Sequence, residues 1–105
     1  MHRSIKKNQK VTIETILNEI SKYYTVNKSD IIGINRSRKI TRIRQIAMHL
    51  CRTCTGESLT NIGNYFSSRG HTSVIHASKN ITKILTEDIN IYNDLNNLQR
   101  TIQDT

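Results

Sequence analysis

The segment of residues 69–81 holds the side chains of this chain that are best suited to reading a nucleic acid. Arg69, His71, Thr72 and Ser73 stand together at its start, and apolar residues follow at helical spacing. Imidazole and hydroxyl groups can hydrogen-bond base edges, and a threonine methyl group can pack on a thymine methyl group. Taken singly, these residues would be an ordinary helix cap and first turn. Taken together, they predict a recognition helix that begins at His71 and turns its first residues toward the major groove.

The positive charge of the chain is concentrated in its middle. The net charge is +8, and residues 31–56 contain basic residues but no acidic one. The basic residues of this stretch are Arg36, Arg38, Lys39, Arg42, Arg44 and Arg52. A charged helix face that only meets water usually mixes both signs. The excess therefore predicts a surface for a polyanion, with nucleic acid as the first candidate.

The apolar spacing predicts an all-α fold of about six helices. The predicted helices cover residues 11–24, 27–33, 40–55 and 59–66, a segment from residue 71, and a weaker segment after residue 87. Thr12 or Asn8 caps the first helix, and Gly33 ends the second. No alternation of period two is long enough to indicate a strand.

The third helix is predicted to be amphipathic. Its polar side carries Arg38, Arg42, Gln45, His49 and Arg52. After it, Gly56 fits the C′ position of a helix end, and Ser58 fits the N-cap of the next helix. The two helices are thus separated by about three residues that include a glycine, which is typical of a helix-turn-helix or of any tight helical hairpin.

The length and composition favour one small intracellular domain. We expect a domain over residues 11–105, preceded by a basic arm or linker end over residues 1–10. No run approaches the roughly 20 apolar residues of a membrane span. The first residues lack the apolar core and cleavage site of a signal peptide. With two cysteines there is no disulfide framework, so a cytoplasmic location is expected.

Metal binding and catalysis have little support in the sequence. Cys51 and Cys54 match the Cys-x-x-Cys pattern of zinc and redox sites, but no second ligand pair follows, and small buried side chains explain them better. His76 is expected to be a partly buried structural residue. Glu57 is a lone acid in a turn, without a nucleophile–base pair. We therefore expect no cofactor and no enzymatic activity.

Four segments together resemble the C-terminal DNA-binding domain of the bacterial replication initiator family DnaA. They are Arg36-Ser-Arg38, Arg42-Ile-Arg-Gln-Ile-Ala-Met48, Ser58-Leu-Thr-Asn-Ile-Gly63 and Arg69-Gly-His-Thr-Ser-Val-Ile-His-Ala77. Each is weak alone, whereas their order and spacing are specific, and the resemblance extends over residues 12–102. It implies an all-α, Trp-repressor-like helix-turn-helix domain. The implied partner is double-stranded DNA with the DnaA-box-like sites of a chromosomal origin, in the nucleoid.

The resemblance also implies roles for single residues. Arg36 matches a loop arginine that enters the minor groove, and the start of the recognition helix faces bases in the major groove. The groove- and base-contacting set is Arg36, Arg69, His71, Thr72 and Ser73. Matched positions on the long helix touch phosphates. With the arginines beside them, the phosphate-contacting set is Arg38, Arg42, Arg44, Gln45 and Arg52.

Two departures from the family pattern have physical consequences. Gly70 stands where the family usually has an aspartate that can cap the helix and contact a base. Its absence is expected to weaken the cap by about 1 kcal/mol or less, and to relax or change the sequence preference. Ile43 stands where the family usually has a proline, which fixes a helix start. The start of the third helix is therefore expected to differ.

Three alternatives remain for the role of the chain. Whole initiators carry an ATPase module with a glycine-rich phosphate loop, and the four glycines here do not form one. The chain is then an excised domain, or a free-standing regulator of replication or transcription that binds the same DNA. A domain that docks another replication protein is the third alternative, which the excess of positive charge disfavours. As a monomer it would read one asymmetric site, with other initiator subunits as further partners and no membrane.

Overall fold

The structure is a computed structural model that describes residues 11–104, and within them the chain is a bundle of six α-helices without a strand. The helices are α1 (Ile13–Tyr24), α2 (Lys28–Ile32), α3 (Arg38–Cys54), α4 (Leu59–Tyr65), α5 (His71–Ile84) and α6 (Ile89–Gln103). The prediction of an all-α fold with about six helices is confirmed. The predicted basic arm of residues 1–10 lies outside the described residues.

Side-chain caps set most of the helix starts. The capping side chains, which accept a hydrogen bond from a backbone N–H of the first turn, are Thr12, Ser37, Ser58 and Asp88. Thr12, rather than Asn8, is therefore the N-cap of α1. The Ser37 cap starts α3 two residues earlier than predicted and leaves Ile43 inside the helix. Helix α5 begins at His71 as predicted, although Gly70 provides no side-chain cap.

The residues with a left-handed backbone conformation are not glycines. All four glycines lie within residues 11–104 and none has a positive φ, so Gly56 occupies the predicted C′ position without a left-handed backbone. Among these described residues, those with positive φ are Thr25, Ser67 and Ser68. Helix α3 ends on Thr55, whose backbone N–H and hydroxyl both donate to the Cys51 carbonyl. These two bonds satisfy a carbonyl that the helix itself leaves open.

Helix α3 is the centre of the bundle, because it packs against each of the other five helices. The core around it is aliphatic with one aromatic ring. Its fully buried large side chains include Ile16, Leu50, Phe66, Ile81 and Leu98. Burying each of these contributes about 1.5–3 kcal/mol, so the orientation of α5 on α3 is firmly set. That orientation places the predicted recognition helix beside the basic middle of the chain.

Two histidines lie where the sequence did not predict them. The placement of His49 on the exposed side of α3 is wrong: it is only 8% exposed and lies between α3 and α5. The buried side of α3 is wider than its apolar stripe, because α5 covers part of the predicted polar side. The placement of His76 as partly buried is also wrong, since it is exposed on α5.

Candidate nucleic-acid interface

Helices α4 and α5 form the pair that presents the predicted recognition residues. Residues 66–70 join them, and α5 packs against both α4 and α3. Gly63 allows α4 to approach this turn closely, because a Cβ atom there would lie 2.0 Å from the Arg69 carbonyl oxygen. A side chain at this position would force the turn and the start of α5 to move. The turn near Gly56, which the sequence analysis assigned to a helix-turn-helix or a tight helical hairpin, joins α3 to α4.

The first turn of α5 is open to a partner. His71 and Thr72 are exposed, and Ser73 is half-buried. Within residues 11–104 the side chains of these three residues make no hydrogen bond, and Gly70 leaves the helix start without a side-chain cap. Both the side-chain groups and the first backbone N–H groups are therefore available to an external acceptor. The structure places this set together, as the sequence predicts.

The outer side of α3 is a row of cations without anionic partners. Arg38 and Arg52 are exposed near its two ends, and Arg42 and Gln45 are half-buried between them. Both ion pairs found in residues 11–104 lie elsewhere, and their cations are Lys22 and Lys28. The Asn80 amide donates to the Gln45 side-chain oxygen at 2.8 Å, which leaves the Gln45 amide N–H groups for another acceptor.

Arg36 lies in a loop, residues 33–37, between α2 and α3. Residues 34–39 are all exposed, and Arg36 makes no hydrogen bond or ion pair within the described chain. The Ser37 N–H donates to the Asn35 side-chain oxygen at 2.9 Å, which is a local turn inside the loop. The loop thus carries a free guanidinium at its outer edge, as a minor-groove contact requires.

Arg44 is placed differently from the other basic residues of α3. It is 7% exposed, and its guanidinium donates to backbone carbonyls in and before the loop of residues 33–37. Burial, and then the nearby charge of Arg69, lower the pKa of Arg44. Its phosphate contact stays a prediction, one that its burial disfavours. The sequence did contain a signal, because Ile40, Ala47 and Cys51 share its helix face at positions i−4, i+3 and i+7.

A groove of about 250 Å³ runs between α3 and α5 and brings several predicted residues together. It is lined by Thr41, Arg44, Gln45, Met48, Arg69, Ser73, His76 and Ala77. The lining joins residues of the predicted phosphate set to residues of the predicted base set. The remaining predicted residues, including Arg36 and His71, lie outside this lining.

The contact beneath this interface is a buried polar pair. The His49 Nδ1 atom lies 2.8 Å from the Ser78 Oγ atom, across the boundary between α3 and α5. Burial, and then the charge of Arg52, lower the pKa of His49. The neutral ring with a hydrogen-bond partner is thus the form that fits this site. Sequence reasoning missed the pair because Ser78 is far from His49 in the chain.

The cysteines show the character of core residues. Cys51 is buried and Cys54 is half-buried, and neither forms a disulfide. Burial, and then the neighbouring Cys54, raise the pKa of the Cys51 thiol to about 12, so the thiol of the free protein is protonated near neutral pH. The part of the chain that the structure describes contains no group of three candidate metal ligands. None of its helices combines the length and apolar character needed to cross a bilayer.

Comparison with known proteins identifies relatives over most of the chain. Residues 13–81 match the family described as bacterial DnaA protein helix-turn-helix. The chain is 41% identical over 95 residues to the chromosomal replication initiator protein DnaA of Ruegeria sp. (strain TM1040), and equally to that of Ruegeria pomeroyi. It is 38% identical over 96 residues to that of Cereibacter sphaeroides. These matches cover 90–91% of this chain but only 20–21% of the relatives, so it spans about a fifth of their length.

Proposed function

The chain belongs to the bacterial DnaA helix-turn-helix family, and we propose that it binds double-stranded DNA sequence-specifically at DnaA-box-like sites, in the initiation of chromosomal replication. The observation that carries this proposal is the adjacency of two features. The open first turn of α5 follows Arg69, which shares a groove with the basic helix α3. One feature reads bases, and the other attracts phosphates.

Phosphate contacts would supply most of the affinity and fix the register. Within residues 11–104, Arg38, Arg42 and Arg52 form no ion pair, and the Gln45 amide adds a neutral donor. Each arginine that pairs with a phosphate releases condensed counterions, so affinity falls with salt at a log–log slope of about −0.9 per contact. These contacts alone carry no sequence information.

Base contacts would supply the specificity. His71, Thr72 and Ser73 stand in the first turn of α5, from which side chains reach base edges in the major groove. Arg36 is exposed in the loop of residues 33–37 and would enter the adjacent minor groove, where a narrow A·T-rich segment attracts a guanidinium. Each good base contact contributes about 1–3 kcal/mol of discrimination.

The proposed role is binding without catalysis. The domain needs no cofactor for it, and a chromosomal site implies work at the nucleoid in the cytoplasm. One domain would bind one asymmetric site as a monomer, and other initiator subunits would bind neighbouring sites. The chain spans about a fifth of the length of its relatives, and the proposal concerns DNA binding alone.

Fluorescence anisotropy tests the proposal directly. A duplex with one DnaA box and a scrambled duplex of the same length and composition are titrated with the protein at two salt concentrations. We expect a preference for the box of about tenfold or more that persists at the higher salt. Equal binding that disappears with salt would contradict specific recognition and leave a nonspecific DNA-coating domain. No binding to either duplex would favour the docking of another protein.

A further inference from the structure

The carbonyl groups at the end of α2 are held by two arginines from other parts of the chain. Arg44 of α3 donates from Nε to the Ile31 carbonyl at 2.7 Å, and from Nη2 to the Asp30 and Asn35 carbonyls at 2.9 Å each. Arg69 donates to the next two carbonyls, those of Ile32 at 3.2 Å and Gly33 at 2.7 Å. Five successive or nearly successive carbonyls are thereby tied to two guanidinium groups.

Helix α2 needs such donors because it is short and lacks a left-handed end. It has five residues, and Gly33 after it is extended, with φ −88° and ψ −152°. The last carbonyls of a helix have no partner within it, and they form the negative end of its dipole, which favours cations. Guanidinium groups suit this position because their planar fork can serve several acceptors at once, which an ammonium group does less well.

The loop that follows has no apolar anchor of its own. Residues 34–39 are all exposed, and Ile34 is 81% exposed. The last buried side chain before the loop is Ile31, and the next is Ile40. Apart from the local turn at Asn35, the intervening chain is therefore held by the hydrogen bonds that Arg44 and Arg69 donate to its carbonyls.

Arg69 also joins the turn before α5 to the start of the loop that carries Arg36. Besides its bonds to residues 32 and 33, its Nη1 donates to the Phe66 carbonyl at 2.8 Å, in the turn before α5. The Ser67 hydroxyl from the same turn reaches the Ile32 carbonyl at 2.6 Å. The start of α5 and the loop with Arg36 are thus held at a fixed separation, although they lie more than 30 residues apart in the sequence.

We propose that Arg44 and Arg69 are positioning residues, which hold the loop of residues 33–37 so that Arg36 and the first turn of α5 meet the same DNA site together. This inference rests on the proposed function, and it assigns the two arginines a role through the protein backbone. Without them, Arg36 would remain in the chain but would lose its fixed orientation, and DNA binding would have to order the loop first.

The first test needs no DNA. Arg44→Lys and Arg69→Lys each keep the charge and the trypsin site but lose the fork of donors. We expect limited trypsin digestion of the folded protein to cut within residues 36–39 about tenfold faster in either variant, by local opening. Cleavage in α5, after Lys79 or Lys83, serves as the internal reference. Arg42→Lys is the matched control, because Arg42 makes no hydrogen bond or ion pair within the described chain.

Acceleration confined to residues 36–39 supports the bracing role. Unchanged cleavage there, with Arg44→Lys folded, would contradict it. An equal acceleration at Lys79 and Lys83 would also contradict it, because the arginines would then support the whole fold rather than the loop.

The second test is a double-mutant cycle on box binding. If Arg44 acts through Arg36, Arg44→Lys weakens binding about tenfold in the natural background but less than twofold in the Arg36→Ala background, which is the signature of coupled residues. The same loss in both backgrounds would mean a direct DNA contact and overturn the inference. If the natural protein shows no preference for the box, the proposed function fails, while the digestion experiment still decides whether the arginines hold the loop.

Discussion

The two sides of this bundle differ in whether their polar side chains have partners within the protein. On the side of α1 and α6, the Asp94 carboxylate accepts hydrogen bonds from the hydroxyls of Tyr23 at 2.8 Å and Tyr24 at 2.9 Å. Asn97 donates to Tyr23, and Lys22 pairs with Glu19. Burial and the neighbouring carboxylate raise the pKa of Tyr24. These polar groups find their partners within the protein.

On the side of α3, α5 and the loop before α3, several exposed cationic and polar side chains have no such partners within residues 11–104. Arg36, Arg38 and Arg52 are exposed without an ion pair in the part of the chain that the structure describes, as are His71 and Thr72. Charge alone therefore does not mark an interface, since α1 and α2 also carry cations, Lys22 and Lys28, each paired with a glutamate. An interface is marked by charge that the fold leaves unpaired, next to side chains able to read a partner.

The largest expected effect is on specificity. Replacing His71→Ala and Thr72→Ala together should remove most of the preference for a DnaA box, about 2 kcal/mol or more for two base contacts. Thermal unfolding should hardly change, because both side chains are exposed. Anisotropy on box and scrambled duplexes measures the difference. Tyr92→Ala, an exposed change on α6, is the control and should alter neither duplex. An equal loss on both duplexes would contradict base reading by α5.

A comparable change on the other side should act on stability alone. Asp94→Ala removes the acceptor of two tyrosine hydroxyls and should lower the free energy of unfolding by about 2 kcal/mol. Box binding of the folded fraction should stay the same. Asn93→Ala is the matched control, because it is exposed on the same helix and gains similar helix propensity. Weaker box binding by folded Asp94→Ala protein would show that the two sides are not separate.

Acid should weaken the buried contact between His49 of α3 and Ser78 of α5. The pKa of His49 lies below its ordinary value of 6.5 in the folded protein, so the unfolded chain binds a proton first as the pH falls. The stability that neutral His49 contributes is fully present above pH 6.5 and is lost as the pH falls below 6.5. Thermal unfolding at pH 7 and pH 5 measures the loss. We expect His49→Gln to have a smaller difference between the two pH values, and an unchanged difference would contradict the assignment.

A single phosphate contact should change affinity without changing preference. Arg52→Ala is expected to weaken box and scrambled duplexes alike and to reduce the magnitude of the salt slope by about 0.9. Lys22→Ala removes the same charge from the other side, where the lysine is paired with Glu19. Its salt slope should stay the same. Equal effects of the two substitutions would mean that DNA senses only the net charge.

The sequence predicted the elements well because their signals are local. The serine and threonine caps at Thr12 and Ser58, the apolar periodicity and the start of α5 all depend on residues within a few positions of each other. The grouping of Arg69 with Ser73 at the head of α5 is equally local. Such features need no knowledge of which helix lies beside which.

The contacts that sequence analysis missed depend on packing between separate segments. His49 is buried because α5 brings Ser78 against it, and the Arg44 guanidinium meets the open carbonyls at the end of α2. Periodicity assigned His49 to the exposed side of α3. Its partner, far along the chain, reverses that assignment. The roles of Arg44 and Arg69 therefore became visible only with the fold.

The smallest expected effect concerns Gly70, the N-cap residue of α5. Its backbone is extended, with φ −69° and ψ 171°, and a Cβ atom would meet nothing within 4 Å. Gly70→Asp, which gives the residue usual in the family, should cap α5 and raise the free energy of unfolding by about 0.5 kcal/mol. Gly70→Asn should cap it without adding charge, and thermal unfolding compares the two.

On DNA the two variants should differ, because only the aspartate brings a negative charge to the interface. Gly70→Asp should bind scrambled duplex more weakly than Gly70→Asn, while a carboxylate that accepts from a cytosine amino group would preserve or increase the preference for one box sequence. Anisotropy on a panel of single-base box variants measures both effects. If the two variants bind every duplex alike, the start of α5 does not face DNA, and its unpaired side chains need another partner.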